Sequence, residues 1–235
     1  MRPMLKVNTM NLKCSKSVLL GTSALVCFAL AAPVVADDFV ITGSDNSTNG
    51  TGTTNGGTAA AIAGTAINGS DTVSLGIALT TTGTYEGIGT TGGTNKVTVS
   101  EAGSITTAES GADGIYNRGS TNTTTVSGSI KTEGAGANAI YNIGDKNKTT
   151  LSGSITTDGG NADGIRNIGD TNTTTVSGSI TTAGGAHGIY NRGSTNTTTV
   201  SGSITTAGGA AGIYNLGSTN TTTVSGSIET TGENS

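Results

Sequence analysis

Side chains able to carry reaction chemistry are few in this 235-residue chain, and their spacing argues against catalysis. The single histidine, His187, falls at the same place in an internal repeat as Asp113, Asn138, Asp163 and Ala211. General acid–base or metal chemistry needs two or three such groups held together, whereas here the residue type changes from copy to copy. That scatter, in a stretch of variable length, predicts solvated loop surface. Both cysteines, Cys14 and Cys27, lie in the first 36 residues, so the remainder offers no thiolate nucleophile, thiolate metal site or disulfide. The expectation is a protein that is not an enzyme, with no catalytic, metal-binding or cofactor-binding residues.

Repeated side chains are the better candidates. Tyr116, Tyr141, Arg166, Tyr190 and Tyr214 recur in register, and two residues further along stand Arg118, Ile143, Ile168, Arg192 and Leu216. If each set faces outward, the two form an exposed aromatic and aliphatic band of the kind that marks an interaction surface, with Arg166 placed to stack on Tyr141 and Tyr190. The alternative role for such a ladder is to stiffen the fold. A second array, Thr123 and Thr125, Thr173 and Thr175, Thr197 and Thr199, Thr221 and Thr223, is broken by Lys148. Asn-x-Thr triplets at Asn122, Asn147, Asn172, Asn196 and Asn220 are either glycosylation acceptors or the chemistry of a repeated turn.

The elements that position these residues follow from three apolar series. Ile105, Ile130, Ile155, Ile180, Ile204 and Ile228 are separated by steps of 25, 25, 25, 24 and 24. Ile115, Ile140, Ile165, Ile189 and Ile213 precede Val126, Leu151, Val176, Val200 and Val224 by 11 residues each time. Each member of the last series precedes the next Ile of the first by 4. Only the connection between the first and second series varies in length, as a surface loop permits. Within Thr123–Ile130 the apolar residues alternate, the pattern of a strand and not of a helix. One or two such strands per copy cannot bury their own Ile and Val, so copies must stack into a solenoid. The prediction is an all-β, right-handed parallel β-helix (β-solenoid) with 24-25-residue coils, roughly eight of them. In each coil alternation turns Ile115 and Asn117 inward and Tyr116 outward. Asn117, Asn142, Asn167, Asn191 and Asn215 then form a structural Asn ladder, and Gly119, Gly144, Gly169, Gly193 and Gly217 suit a turn with positive φ.

Composition alone would suggest disorder, since Ile, Leu, Val and Phe make up 31 of the 199 residues from Asp37 onward. Disorder requires no constant spacing of Ile and Val, so the periodicity prevails. Residues 1–36 read as a signal peptide: Arg2, Lys6, Lys13 and Lys16, an apolar run from Val18 to Val35, and cleavage after Ala36. A linker or cap is expected at 37–57, irregular coils at 58–100 and regular repeats at 101–235. With those four cations removed, seven basic residues face fifteen acidic ones, which argues against a nucleic-acid partner.

The repeat Gly-Ile-Tyr-Asn-Arg-Gly-Ser-Thr-Asn-Thr-Thr-Thr-Val-Ser-Gly-Ser-Ile at 188–204, with its copies and the signal ahead of it, resembles the passenger domain of a bacterial autotransporter of the type V secretion family. That resemblance covers 105–228 well and 60–100 poorly. It implies export to the cell surface or outer membrane through a β-barrel translocator, which this chain does not contain. It also implies adhesion to a ligand on a host or neighbouring cell, or self-association. The Thr-x-Thr array supplies the alternative, a free-standing secreted solenoid that binds ice, since flat Thr arrays on β-solenoids resemble ice-binding surfaces.

Overall fold

In the computed structural model, residues 39–42, 54–55, 58–59, 62–68, 72–76, 78–81 and 83–232 are described, with side chains from Thr72 onward. They belong to the unit Ala36–Ser235; the predicted signal and its cleavage residue Ala36 lie outside the described residues. Every regular element among them is a strand.

Each coil contributes three strands, one more than the alternation in Thr123–Ile130 suggested. In one coil these are Ile115–Arg118, Thr123–Val126 and Ser129–Thr132. Stacked copies build three sheets, called here the first, second and third in their order along a coil. Among the described residues the first and third have seven strands each, against the roughly eight coils expected. Pairing between copies is parallel and in register: Ile115 lies beside Ile140, Thr125 beside Thr150, Ile130 beside Ile155. The eighth strand of the second sheet is Phe39–Thr42, which pairs antiparallel with Thr72–Leu75. Irregularity in the early coils shows as a register shift between Ile62 and Ile67.

The missing strand boundary sits at Ser127–Gly128. Val126, Gly128 and Ile130 all point inward, as alternation requires, but they do so around a corner. There the Ser127 and Gly128 N–H groups both donate to the Val99 carbonyl. The corner also explains its glycine: a Cβ on Gly128 would overlap the Gly103 and Ser100 carbonyl oxygens, and one on Gly153 those of Gly128 and Ser127. The three apolar series fill the interior, and no member from Ile105 to Ile204 is more than 1% exposed.

At the turn from the first to the second sheet, Gly119, Gly144, Gly169, Gly193 and Gly217 adopt φ of 139°, 124°, 132°, 137° and 135°. Two residues later a non-glycine residue is held in the left-handed region: Thr121, Lys146, Thr171, Thr195 and Thr219, with φ between 56° and 65°. For a β-branched residue this conformation is costly, on the order of 1–2 kcal/mol. Lys146 in the same slot shows that the turn does not need the branch. Asn tolerates this region, so Thr171→Asn should stabilise the protein by up to about 1 kcal/mol, read as a higher urea midpoint at unchanged slope. A lowered midpoint would mean that the Thr171 hydroxyl, which donates to the Asp170 carbonyl at 2.7 Å, outweighs the strain.

Candidate binding face

Two buried ladders of asparagine fix the sheets that carry the surface residues. In the predicted ladder, the Nδ2 of Asn117, Asn142 and Asn167 donates to the Oδ1 of the next coil's Asn at 2.7 Å, and that of Asn191 to Asn215 at 2.8 Å. The second N–H of each amide reaches across the interior to an inward threonine of the second sheet, Thr124, Thr149, Thr174, Thr198 or Thr222. Thr90 supplies the first rung, its hydroxyl donating to Asn117 Oδ1.

The other ladder consists of the Asn-x-Thr residues. The backbone N–H of Asn122 donates to Asn147 Oδ1, that of Asn147 to Asn172, that of Asn172 to Asn196 and that of Asn196 to Asn220. From Asn122 to Asn196 these residues are at most 2% exposed. The Nδ2 of Asn122, Asn147 and Asn172 is hydrogen-bonded to the carbonyl of Gly119, Gly144 and Gly169. An amide nitrogen so buried and engaged accepts no glycan in the folded coil, which leaves the turn reading for these three triplets; Asn196 is equally buried, and Asn220 is half-exposed.

On the outward side of the first sheet two files of side chains run along the rod. One holds Tyr116, Tyr141, Arg166, Tyr190 and Tyr214, adjacent in the pairing register. The other holds Arg118, Ile143, Ile168, Arg192 and Leu216. Arg118, Arg192 and Leu216 are exposed, while Ile143 and Ile168 are half-buried. Tyr116 and Tyr141 meet edge to face, with ring centroids 5.4 Å apart. The Arg166 guanidinium lies 5.6 Å from the Tyr141 ring centre and 4.6 Å from that of Tyr190. Tyr190 stacks on Tyr214 at 5.5 Å, and His187 lies nearly parallel to both rings, 4.8 Å from Tyr214. The fifth tyrosine, Tyr85, stands apart, since Gly89 occupies the Tyr position in its coil.

The column that begins each first-sheet strand differs most from expectation. Asp113 and Asp163 are not solvated loop surface: they are 5% and 3% exposed. Asp113 Oδ1 accepts the Asn138 backbone N–H at 2.7 Å, Asn138 Oδ1 accepts that of Asp163 at 3.0 Å, and Asp163 Oδ1 accepts that of His187 at 2.9 Å. His187 continues the series, its Nδ1 accepting from the Ala211 N–H at 3.2 Å. Four residues of three types perform one task, closing an N–H of the next coil. Chemical variety hid this from the sequence reading; the only signal was that all are able to accept a hydrogen bond.

Asp163 also pairs with Arg166 at 2.9 Å. Burial pushes its carboxyl above the usual range, opposed by the His187 N–H and by Arg166. Asp113 lacks such a cation at contact distance, and burial raises it from 3.8 to about 7 against its hydrogen bonds from Asn138. Tyr116 is raised as well, again by burial. Among the described residues, no group of three His, Cys, Asp or Glu side chains is placed to hold a metal ion. No known protein family, curated protein or solved structure matches the chain.

The raised Asp113 makes stability depend on pH with a defined sign. Below 3.8 the carboxyl is protonated whether the chain is folded or not, and between 3.8 and about 7 only the folded state keeps the proton. Its contribution is therefore greatest below the unfolded value and is lost as pH rises through about 7. Asp113→Asn retains the Oδ1 acceptor and removes the charge, as Asn138 does naturally. Urea denaturation between about pH 4 and about pH 8 should show a flatter profile for this variant, more stable than the parent at the alkaline end by at most about 4 kcal/mol. An unchanged profile would mean that Asp113 titrates normally in the folded protein.

Proposed function

We propose that this chain is an exported, non-catalytic β-solenoid, the passenger or stalk portion of an autotransporter-like cell-surface protein, and that the outward side of its first sheet is an adhesive surface. The observation that supports adhesion is the unbroken file Tyr116, Tyr141, Arg166, Tyr190, Tyr214, which lies on one side of five successive coils beside a file containing Ile143, Ile168 and Leu216. Tyr and Arg are the residue types that dominate binding at protein surfaces, and five coils at about 4.8 Å each give them a continuous track. Its partner in this reading is a ligand on a host or neighbouring cell, or a second copy of the chain, and an outer-membrane β-barrel translocator carries it to the surface.

The test is display of the chain on cells, with Tyr190 and Tyr214 replaced by Ser. Adhesion or autoaggregation should fall while thermal stability drops only by the worth of the stacked pairs, roughly 0.5–1.5 kcal/mol each. Unchanged adhesion with lowered stability would make the stripe a structural ladder and overturn this reading.

One observation favours the ice-binding alternative. Thr98, Thr125, Thr150, Thr175, Thr199 and Thr223 form an uninterrupted outward file on the second sheet, and Thr173, Thr197 and Thr221 stand beside its last three members. The corner at Ser127–Gly128 confines this array to one sheet. On that reading the purified protein produces thermal hysteresis that Thr199→Lys abolishes; absence of hysteresis in the parent protein would end it.

A further inference from the structure

Arginine, though not lysine, is segregated on this molecule: Lys96 and Lys148 stand on the second sheet and Lys131 on the third. All three arginines among the described residues, Arg118, Arg166 and Arg192, stand in the two outward files of the first sheet, and no carboxylate shares those files. The exposed Glu101, Glu109, Glu133 and Asp158 lie at corners next to the third sheet, and Asp145 and Asp170 lie on the turn that enters the second. Five carboxylates flank the arginine files: Glu86, in the coil before Arg118, the buried Asp113 and Asp163, and the exposed Asp145 and Asp170, two residues beyond Ile143 and Ile168. Asp163 is committed to Arg166 and to the His187 N–H. Arg118 and Arg192 are exposed and form no ion pair among the described residues. In a chain with formal charge −4, that leaves two guanidinium groups on one face available to an anionic partner.

The tyrosines between them favour the same partner through their orientation. The Tyr190 ring lies between the Arg166 guanidinium at 4.6 Å and Tyr214 at 5.5 Å, and Tyr214, 40% exposed, stacks on Tyr190 and on His187 of the preceding coil. An aromatic face is the electron-rich part of the ring and its edge the electron-poor part. Rings stacked along the rod therefore turn edges and hydroxyl groups outward. Such a surface suits anionic oxygens and offers few free faces on which the apolar side of a neutral sugar can lie.

We propose that the outward side of the first sheet binds a linear anionic polysaccharide laid along the rod, with Arg118 and Arg192 each holding an acidic group and the tyrosine hydroxyls contacting the chain between them. Arg118 and Arg192 are three coils apart, about 14 Å along the axis, a span that a few sugar residues cover. Guanidinium groups match carboxylate and sulfate oxygens in a bidentate manner, so the chemistry common to both polymers is what the face reads. This ligand class rests on the adhesive reading of the same sheet and narrows it.

The experiment is titration calorimetry of the full chain with polygalacturonate, with heparin, and with a single-stranded oligothymidylate of equal charge. Binding to one of the two polysaccharides is expected, weakening as salt is raised, and its identity distinguishes carboxylate from sulfate recognition. The double variant Arg118→Ser/Arg192→Ser should bind that polymer at least about tenfold more weakly at an unchanged melting temperature, because both side chains are exposed and unpaired. Equal binding by the double variant, no binding of either polysaccharide, or equally tight binding of the oligonucleotide would each overturn the proposal. If neither polysaccharide binds while Tyr190→Ser/Tyr214→Ser still abolishes cell adhesion, this ligand class falls and the adhesive reading stands.

Discussion

Hydrogen bonding from an asparagine to the same asparagine one coil later is the constraint on which the rest of this structure depends. Apolar contacts are not directional and would tolerate neighbouring coils sliding past each other. A buried primary amide does not: each Nδ2 left without its partner leaves a desolvated donor costing roughly 1–3 kcal/mol. With one ladder inside the first sheet and another at the turn beyond it, a slipped coil would orphan both sets at once. In-register stacking follows, and with it the repetition of Ile, Val and Thr at positions that meet only themselves. Because the second N–H of each first-sheet Asn reaches Thr124 or its counterpart, the same residues also fix the first sheet against the second.

Freedom remains outside the two asparagine ladders, in the connection from the third sheet back to the first, ahead of the column that begins with Asp113. One residue is lost there between the coil of Thr157 and that of Thr182, and the change is felt in the interior. In the shorter connection the Thr182 hydroxyl donates to the Ala186 carbonyl, and the Thr206 hydroxyl to that of Ala210. Their counterparts Thr107, Thr132 and Thr157 in the longer connection are buried with no partner among the described residues, and so is Thr81, whose connection to Ile88 is as short as that of Thr182 to Ile189. The route taken by the connection, and not its length alone, therefore decides whether this buried hydroxyl is paired. The coils are equivalent in backbone register but not in how completely their polar groups are satisfied.

Legibility from sequence followed the same division. The three apolar series, the ladder of Asn117 and the positive φ of Gly119 could be read because each depends on one residue type recurring at a fixed step. The corner at Ser127–Gly128 could not, since Val126, Gly128 and Ile130 keep the alternation of an extended strand while the chain turns beneath it. Asn122 and its copies recur as faithfully as Asn117, but their triplets carry a second meaning that burial removes from Asn122 to Asn196. The column of Asp113, Asn138, Asp163 and His187 was the hardest to read. Selection there acts on the ability to accept a hydrogen bond, a property shared by side chains that differ in charge, size and acidity.

That column also bears on how a structural ladder acquires surface chemistry. His187 receives the Ala211 N–H, as a column member must, and being larger than Asp or Asn it reaches the neighbouring file and lies against Tyr190 and Tyr214. Asp163 performs the same backbone task with one oxygen and holds Arg166 with the other, setting the guanidinium between Tyr141 and Tyr190. Side chains recruited to close one coil onto the next therefore determine how the outward rings and cations are oriented. Stiffening and recognition are then not competing roles for this stripe. Stacking that rigidifies the rod sets Tyr190 between Arg166 and Tyr214, so that its edge and hydroxyl group, with the exposed arginines, are the chemistry that a partner meets there.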